Sequence, residues 1–206
     1  MRSAPAFVLA SVLAALPVLA EGAPTDLKVD ASAVKSDKAP PKPVTREDMI
    51  KRSGEVTRGY YNALIKGDFE VAASFVHPGT VEPLRKTLTD EVEKAPPAKQ
   101  KGTLDALGVP DLNTLRTMPA GKFFAAYAKS SYGIGLRALS SPEYQALRPS
   151  VEDQTCIPEK RFCRVTVRIK GKKKSGGELA QVSVVNHVFV VESGGRWLVN
   201  DKPPQG

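Results

Sequence analysis

CRVTVRIKGKKKSGGELAQVSVVNHVFVVESGGRWLVN, residues 163 to 200, decides the fold because its apolar residues recur with the period of a strand. Val165, Val167 and Ile169 alternate with Arg164, Thr166, Arg168 and Lys170, which predicts a half-buried strand with a charged outer face. Gly171 to Glu178 reads as a turn. Gln181 to Glu192 follows, apolar on both faces, and is expected to be central in a sheet. Ser193, Gly194 and Gly195 make a second tight turn, after which Arg196 to Asn200 pairs back through Trp197 and Val199.

Upstream of this stretch the period is helical. Thr45 can cap the free amides of a helix, with Asp48 at the reciprocal position, and Met49, Ser53, Val56, Tyr60 and Ala63 or Leu64 fall on one stripe. Gly67 ends that helix, and Asp68 caps a second through Phe69, Ala72, Ala73 and Val76, which His77, Pro78 and Gly79 stop. Val81, Leu84, Leu88 and Val92 extend the helical region up to the break KAPPAKQKG; the polar piece 91–102 reads as an insertion. After the loop LGVPDLNTL, Pro119 suits a first helical turn, and Phe123, Phe124, Tyr127 and Ser131 share a face up to Gly133. Helices followed by an antiparallel meander make an α+β order rather than alternating β and α units.

Outside this body, residues 1–20 read as a signal peptide, with Arg2 before an apolar run from Ala6 to Leu19 and Val18 and Ala20 as the small residues before cleavage. That run is too short for a spanning helix, so no membrane anchor is expected, and no cysteine follows it to carry a lipid. Residues 21–43, rich in Ala, Pro, Lys, Asp and Ser, read as a disordered linker. Residues 44–201 have the size of a single domain, with 202–206 as a tail. The chain has 206 residues and a formal charge of +8. An exported basic protein can meet anionic envelope polymers, nucleic acid or acidic proteins, although its lysines and arginines are spread along the chain and also serve plain solubility.

The chain has two cysteines, Cys156 and Cys163, with six residues between them. In an exported protein such a pair reads first as a structural disulfide; free or intermolecular thiols and metal or redox chemistry are the alternatives, although redox work wants Cys-x-x-Cys and zinc wants four ligands. Lys170, Lys172, Lys173 and Lys174 crowd one hairpin tip, which is either a solvated end that protects a sheet edge or an anion-binding site. His77 reads as a helix-end or surface residue. His187 lies mid-strand with Val185 and Phe189 on its face, where its ring needs a hydrogen-bond partner. No serine sits in a nucleophile elbow, so no catalytic residue is assigned, and neither is a metal site or a cofactor. Tyr60, Tyr61, Phe124, Tyr127 and Trp197, with His187, are the candidates to line an interior cavity.

RGYYNALIKGDFEVAASFVHP resembles the opening helix pair of nuclear transport factor 2-like domains, and CRVTVRIK with VNHVFVVESGGRWLVND resembles their closing strands, in the manner of secreted bacterial members. LDALGVPDLNTLRTMPAGKFFAAYA is similar to a connecting segment of the same superfamily, so the resemblance covers about residues 45–201. It implies N-terminal helices packed on a curved antiparallel sheet, a cone whose cavity either holds a catalytic acid or base or is filled with side chains. None of the superfamily's catalytic positions maps onto this chain. The expected function is a non-enzymatic exported domain that binds a protein, an envelope polymer or a small apolar ligand, with no nucleic acid partner. The alternative is a pocket enzyme doing proton-transfer chemistry such as isomerisation or dehydration, with His187 as its base.

Overall fold

The alternation of Val165, Val167 and Ile169 becomes the inner face of a strand, where these side chains are at most 1 % exposed. In the computed structural model, residues 44–203 are described; the expected signal segment 1–20 and linker 21–43 lie outside them, as do residues 204–206 of the expected tail. The strand is β2 (Phe162–Ser175), flanked by β1 (Tyr144–Ile157) and β3 (Glu178–Ser193). With β4 (Arg196–Asn200) they form one antiparallel sheet in the order β1-β2-β3-β4. All helices of the described residues precede it, so the chain is α+β.

The β2–β3 hairpin is longer than the sequence pattern predicts. Its turn is only Gly176 and Gly177, at φ 59° and 94°, the paired left-handed conformation of a two-residue hairpin loop that matches strand twist. Gly171 is therefore not in the turn but inside β2. A Cβ there would lie 2.6 Å from Leu147 Cδ2 and 2.9 Å from the Gln145 carbonyl oxygen. The reason is a bulge in β1 between Gln145 and Arg148, which brings that strand's backbone across β2.

β3 is central over only part of its length. β4 pairs with Phe189–Ser193 alone, so residues 178–188 have β2 as their single neighbour strand among the described residues. Leu179 and Val185 are accordingly 50 % and 42 % exposed, and the expectation of an apolar strand on both faces holds only toward Phe189–Val191.

The helices cover the inner face. α1 (Arg46–Lys66) starts where expected, with the Thr45 side chain accepting from the Asp48 amide, and ends at Gly67 in the left-handed region. It buries Met49, Ser53, Tyr60, Tyr61 and Leu64. Gln154 of β1 fastens it to the sheet: its Nε2 donates to the Ile50 carbonyl at 2.7 Å and to Ser53 Oγ at 2.8 Å. α2 (Phe69–Ser74) is followed by a parallel bridge between Val76 and Val199, with the His77 amide donating to the Val199 carbonyl.

Three expectations about this half need correction. His77 does not close α2 but opens α3 (Pro78–Lys94): its Nδ1 accepts from the Gly79 amide at 3.0 Å, and Pro78 occupies the first turn, where its missing N–H costs nothing. The break expected at KAPPAKQKG is only Ala95 and Pro96; the rest of the piece 91–102 is the end of α3 and the start of α4 (Pro97–Leu107), which buries Thr103 and Leu107. The expected loop 107–115 contains the start of α5 (Leu112–Thr117), capped by Asp111. α6 (Ala120–Lys129) begins one residue after Pro119, and α7 (Ile134–Ala138) leads to β1.

Cys156 and Cys163 are bonded to each other, which closes the cysteine alternatives. They are register partners across β1 and β2, 4.0 Å apart at Cα, and both are buried beside Met49, Val165, Val190 and Trp197. A short 3₁₀ turn, Pro158–Lys160, joins the strands, and Arg161 at its end pairs with Glu192 at 2.6 Å.

Reducing and alkylating the disulfide should lower unfolding free energy by about 2.5 kcal/mol on the chain-entropy relation for so short a loop. Urea midpoints at unchanged slope measure it, and an unchanged midpoint would show that the bond constrains nothing. Gly171→Ala should cost about 1–3 kcal/mol, the usual range for overpacking, where a site free of contact would be near neutral.

Candidate functional site

The interior between α1, α6 and the sheet is where the sequence places its cavity candidates. Consecutive residues of a helix point about 100° apart, yet both Tyr60 and Tyr61 are buried, because α2 and the sheet both pack against α1 and Phe124 of α6 reaches Tyr60. Their ring centroids lie 5.3 Å apart edge to face, and Phe124 from α6 lies 6.5 Å from Tyr60. Asn186, a polar residue on the inner face of β3 opposite Val167, lies beside Tyr61. Burial raises the pKa of both phenols well above the ordinary value, with the neighbouring Tyr61 adding to the effect on Tyr60.

The remaining candidates separate from this pair. Tyr127 is half-buried and stacks on Phe123 at 6.0 Å; burial and then the nearby Glu91 raise its pKa. Trp197 belongs to the second cluster, around the disulfide, and its indole Nε1 has no hydrogen-bond partner among the described residues. His187 is on the other side of the sheet: it is exposed, opposite Thr166, with Nδ1 3.1 Å from Thr166 Oγ1. That bond answers the ring's need for a partner and removes His187 from any interior site.

The lysines divide as well. Lys170, Lys172 and Lys174 alternate along β2 on the outer face, in line with Arg164 and Arg168, while Arg148 of β1 stands opposite Lys170. Lys173 faces the other way, with Nζ 5.4 Å above the Tyr144 ring and 3.9 Å from Glu143. The period of two inside a long hairpin is the cause, since a turn limited to Gly176 and Gly177 leaves 170–174 as strand. Glu152 is hydrogen-bonded to Arg168, which holds its carboxyl below the usual carboxylate range. Arg164 and Arg168 were read from the sequence as the charged outer face of this strand but were not joined to the anion-binding candidates, although their two-residue spacing continues upstream of Lys170; Arg148 was not singled out.

Two surface cavities accompany these groups. One of about 600 Å³ lies between α2, the end of α4 and α6, over Ala73, Gly121 and Ala125 with Glu70, Asp105, Lys122 and Lys129 at its rim. The other, about 560 Å³, lies beside the start of α1 and the β3–β4 turn, among Asp48, Arg52, Glu55, Phe75, Arg196 and Trp197. Neither is lined by Tyr60, Tyr61 or Phe124. Among the described residues no three His, Cys, Asp or Glu side chains come together as metal ligands, and no helix is long and apolar enough to cross a membrane. Asp111, the other carboxyl held low, owes this chiefly to the Thr114 amide it caps. No protein-family model, curated protein or solved structure matches the chain.

The raised phenols set an alkaline limit to stability. Above pH 10, the ordinary tyrosine value, the unfolded chain releases protons that folded Tyr60 and Tyr61 retain, so stability is full below that pH and falls above it. Absorbance titration should show these two of the five tyrosines ionising only as the chain unfolds; five ordinary titrations in the folded protein would contradict their burial.

Proposed function

We propose that this protein is an exported, non-enzymatic binding domain of the nuclear transport factor 2-like cone class, which meets a macromolecular partner on its surface. The observation that carries the reading is the packing of Tyr60, Tyr61 and Phe124 where an enzyme of that class would keep its pocket. Catalysis in such a pocket needs an open, largely apolar cavity with convergent polar groups. Here the interior rings lie against one another, and the described cavities open on the outside. The helix-then-meander order supports the cone, and the Cys156–Cys163 bond supports export to an oxidising compartment.

A filled interior speaks against a small apolar ligand or substrate held between the helices and the sheet, and so supports a protein or an envelope polymer as partner. The proton-transfer alternative loses its base, because His187 lies on the opposite face of the sheet from the aromatic interior.

The neutral dye N-phenyl-1-naphthylamine tests the filled interior. The native full chain should give no saturable fluorescence increase, whereas one saturable site per chain, displaced by a steroid or similar apolar competitor, would overturn the reading in favour of a pocket.

A further inference from the structure

The outer face of the sheet is the most strongly charged surface of the described residues. Arg164, Arg168, Lys170, Lys172 and Lys174 follow one another along β2, interrupted only by Thr166, and Arg148 widens the row beside Lys170. Alternate residues of an antiparallel strand are about 6.8 Å apart, so the row runs for roughly 34 Å. Its members are exposed, apart from the partly covered Arg168, and only Glu152 and Asp153 of β1 oppose them on this face. Like charges at this separation gain nothing from one another in the fold. The strand tolerates them because solvent and salt screen them, a cost that a ligand of opposite sign relieves.

We propose that this face binds a linear acidic polysaccharide, laid along β2. The proposal rests on the reading that the protein acts through its surface, and it names the partner class. A compact anion is a poor fit, because the cations stand in a line and do not converge on one point. A polymer carrying a negative charge on successive units can meet several of them at once and release the counterions of each. Sugar units are favoured over nucleobases by what lies between the cations. Ser150, Thr166, Gln181 and Ser183 offer hydroxyl and amide groups on the same face. Base stacking needs open aromatic faces; Phe162 and Phe189 on this face lie against each other at 5.6 Å with Phe162 buried, and the exposed His187 ring is held by Thr166 at 3.1 Å.

The test compares two variants of the full chain with equal loss of charge. Arg164→Gln/Lys170→Gln/Lys172→Gln/Lys174→Gln empties the row; Lys86→Gln/Lys94→Gln/Lys99→Gln/Lys101→Gln removes four exposed cations from α3 and α4. Polygalacturonate and heparin are the probes, with single-stranded DNA as competitor. At 0.15 M salt the row variant should bind at least tenfold more weakly and the helix variant within twofold of the parent, with a shallower salt dependence in the row variant alone. Equal weakening in both would mean that net charge and not this face is responsible, and DNA binding more tightly than either polysaccharide would reassign the face to nucleic acid; either result overturns the proposal. The pair Lys172→Gln/Lys174→Gln, at two exposed positions of the hairpin tip, should give an intermediate loss and guards against an unfolded fourfold variant. Failure here leaves the filled interior standing, because dye entry is read on the unaltered chain.

Discussion

The removal of Val165, Val167 and Ile169 from water is the constraint from which the architecture follows. Each lies between strand neighbours, with its side chain directed at the helices, and together they require a cover. α1 supplies it, and because helix and strand meet at right periods only along a narrow band, the position of α1 must be set by something directional. Gln154 provides that: two hydrogen bonds from one amide to Ile50 and Ser53 hold the first turns of α1 over β1, where a purely apolar contact would let it slide. Burying an amide is tolerable only because it is satisfied on arrival.

The same two-residue period that buries one face of β2 exposes the other. Five cations in alternate places are the unavoidable counterpart of five positions that point inward, so the charge row and the hydrophobic face are one pattern read from two sides. The disulfide lies at the end of β2 away from the Gly176–Gly177 turn, next to Met49 and Trp197, and leaves the charged end held by strand pairing and by Lys173 over Tyr144.

How much of this was legible in the sequence depended on how cleanly each segment kept a period. β2, β4, α1 and α6 could be read because their buried residues recur without interruption. β1 could not. Its two bulges, between Gln145 and Arg148 and between Val151 and Asp153, shift the inward set by one residue each, and Arg148, Pro149, Glu152 and Asp153 hide the alternation that remains. α4 was disguised by Pro96 and Pro97 at its start and by Gly102 in its interior, and it buries too little to show a stripe. Of the site, the burial of Tyr60 and Phe124 followed from their helical spacing, whereas Tyr61 lay off the stripe; the separation of Lys173 from its neighbours, and of His187 from the interior, depended on strand register, which a turn judged six residues too long conceals. Gln154 carried no sequence signal at all, since a single polar residue in an unread strand looks like any other.

The Gln154 contact joins residues whose separation along the chain is 104 to Ile50 and 101 to Ser53, and the Val76–Val199 bridge spans farther still. The meander, by contrast, is built from neighbours in sequence joined by tight loops. A ribosome therefore delivers the helical half first, and although its helices can meet one another, the face of α1 that carries Met49 has no sheet to settle on until the strands have emerged. Shielding of the nascent amino-terminal half, whether by a chaperone or by the speed of translation, is consequently built into the order of this chain's parts.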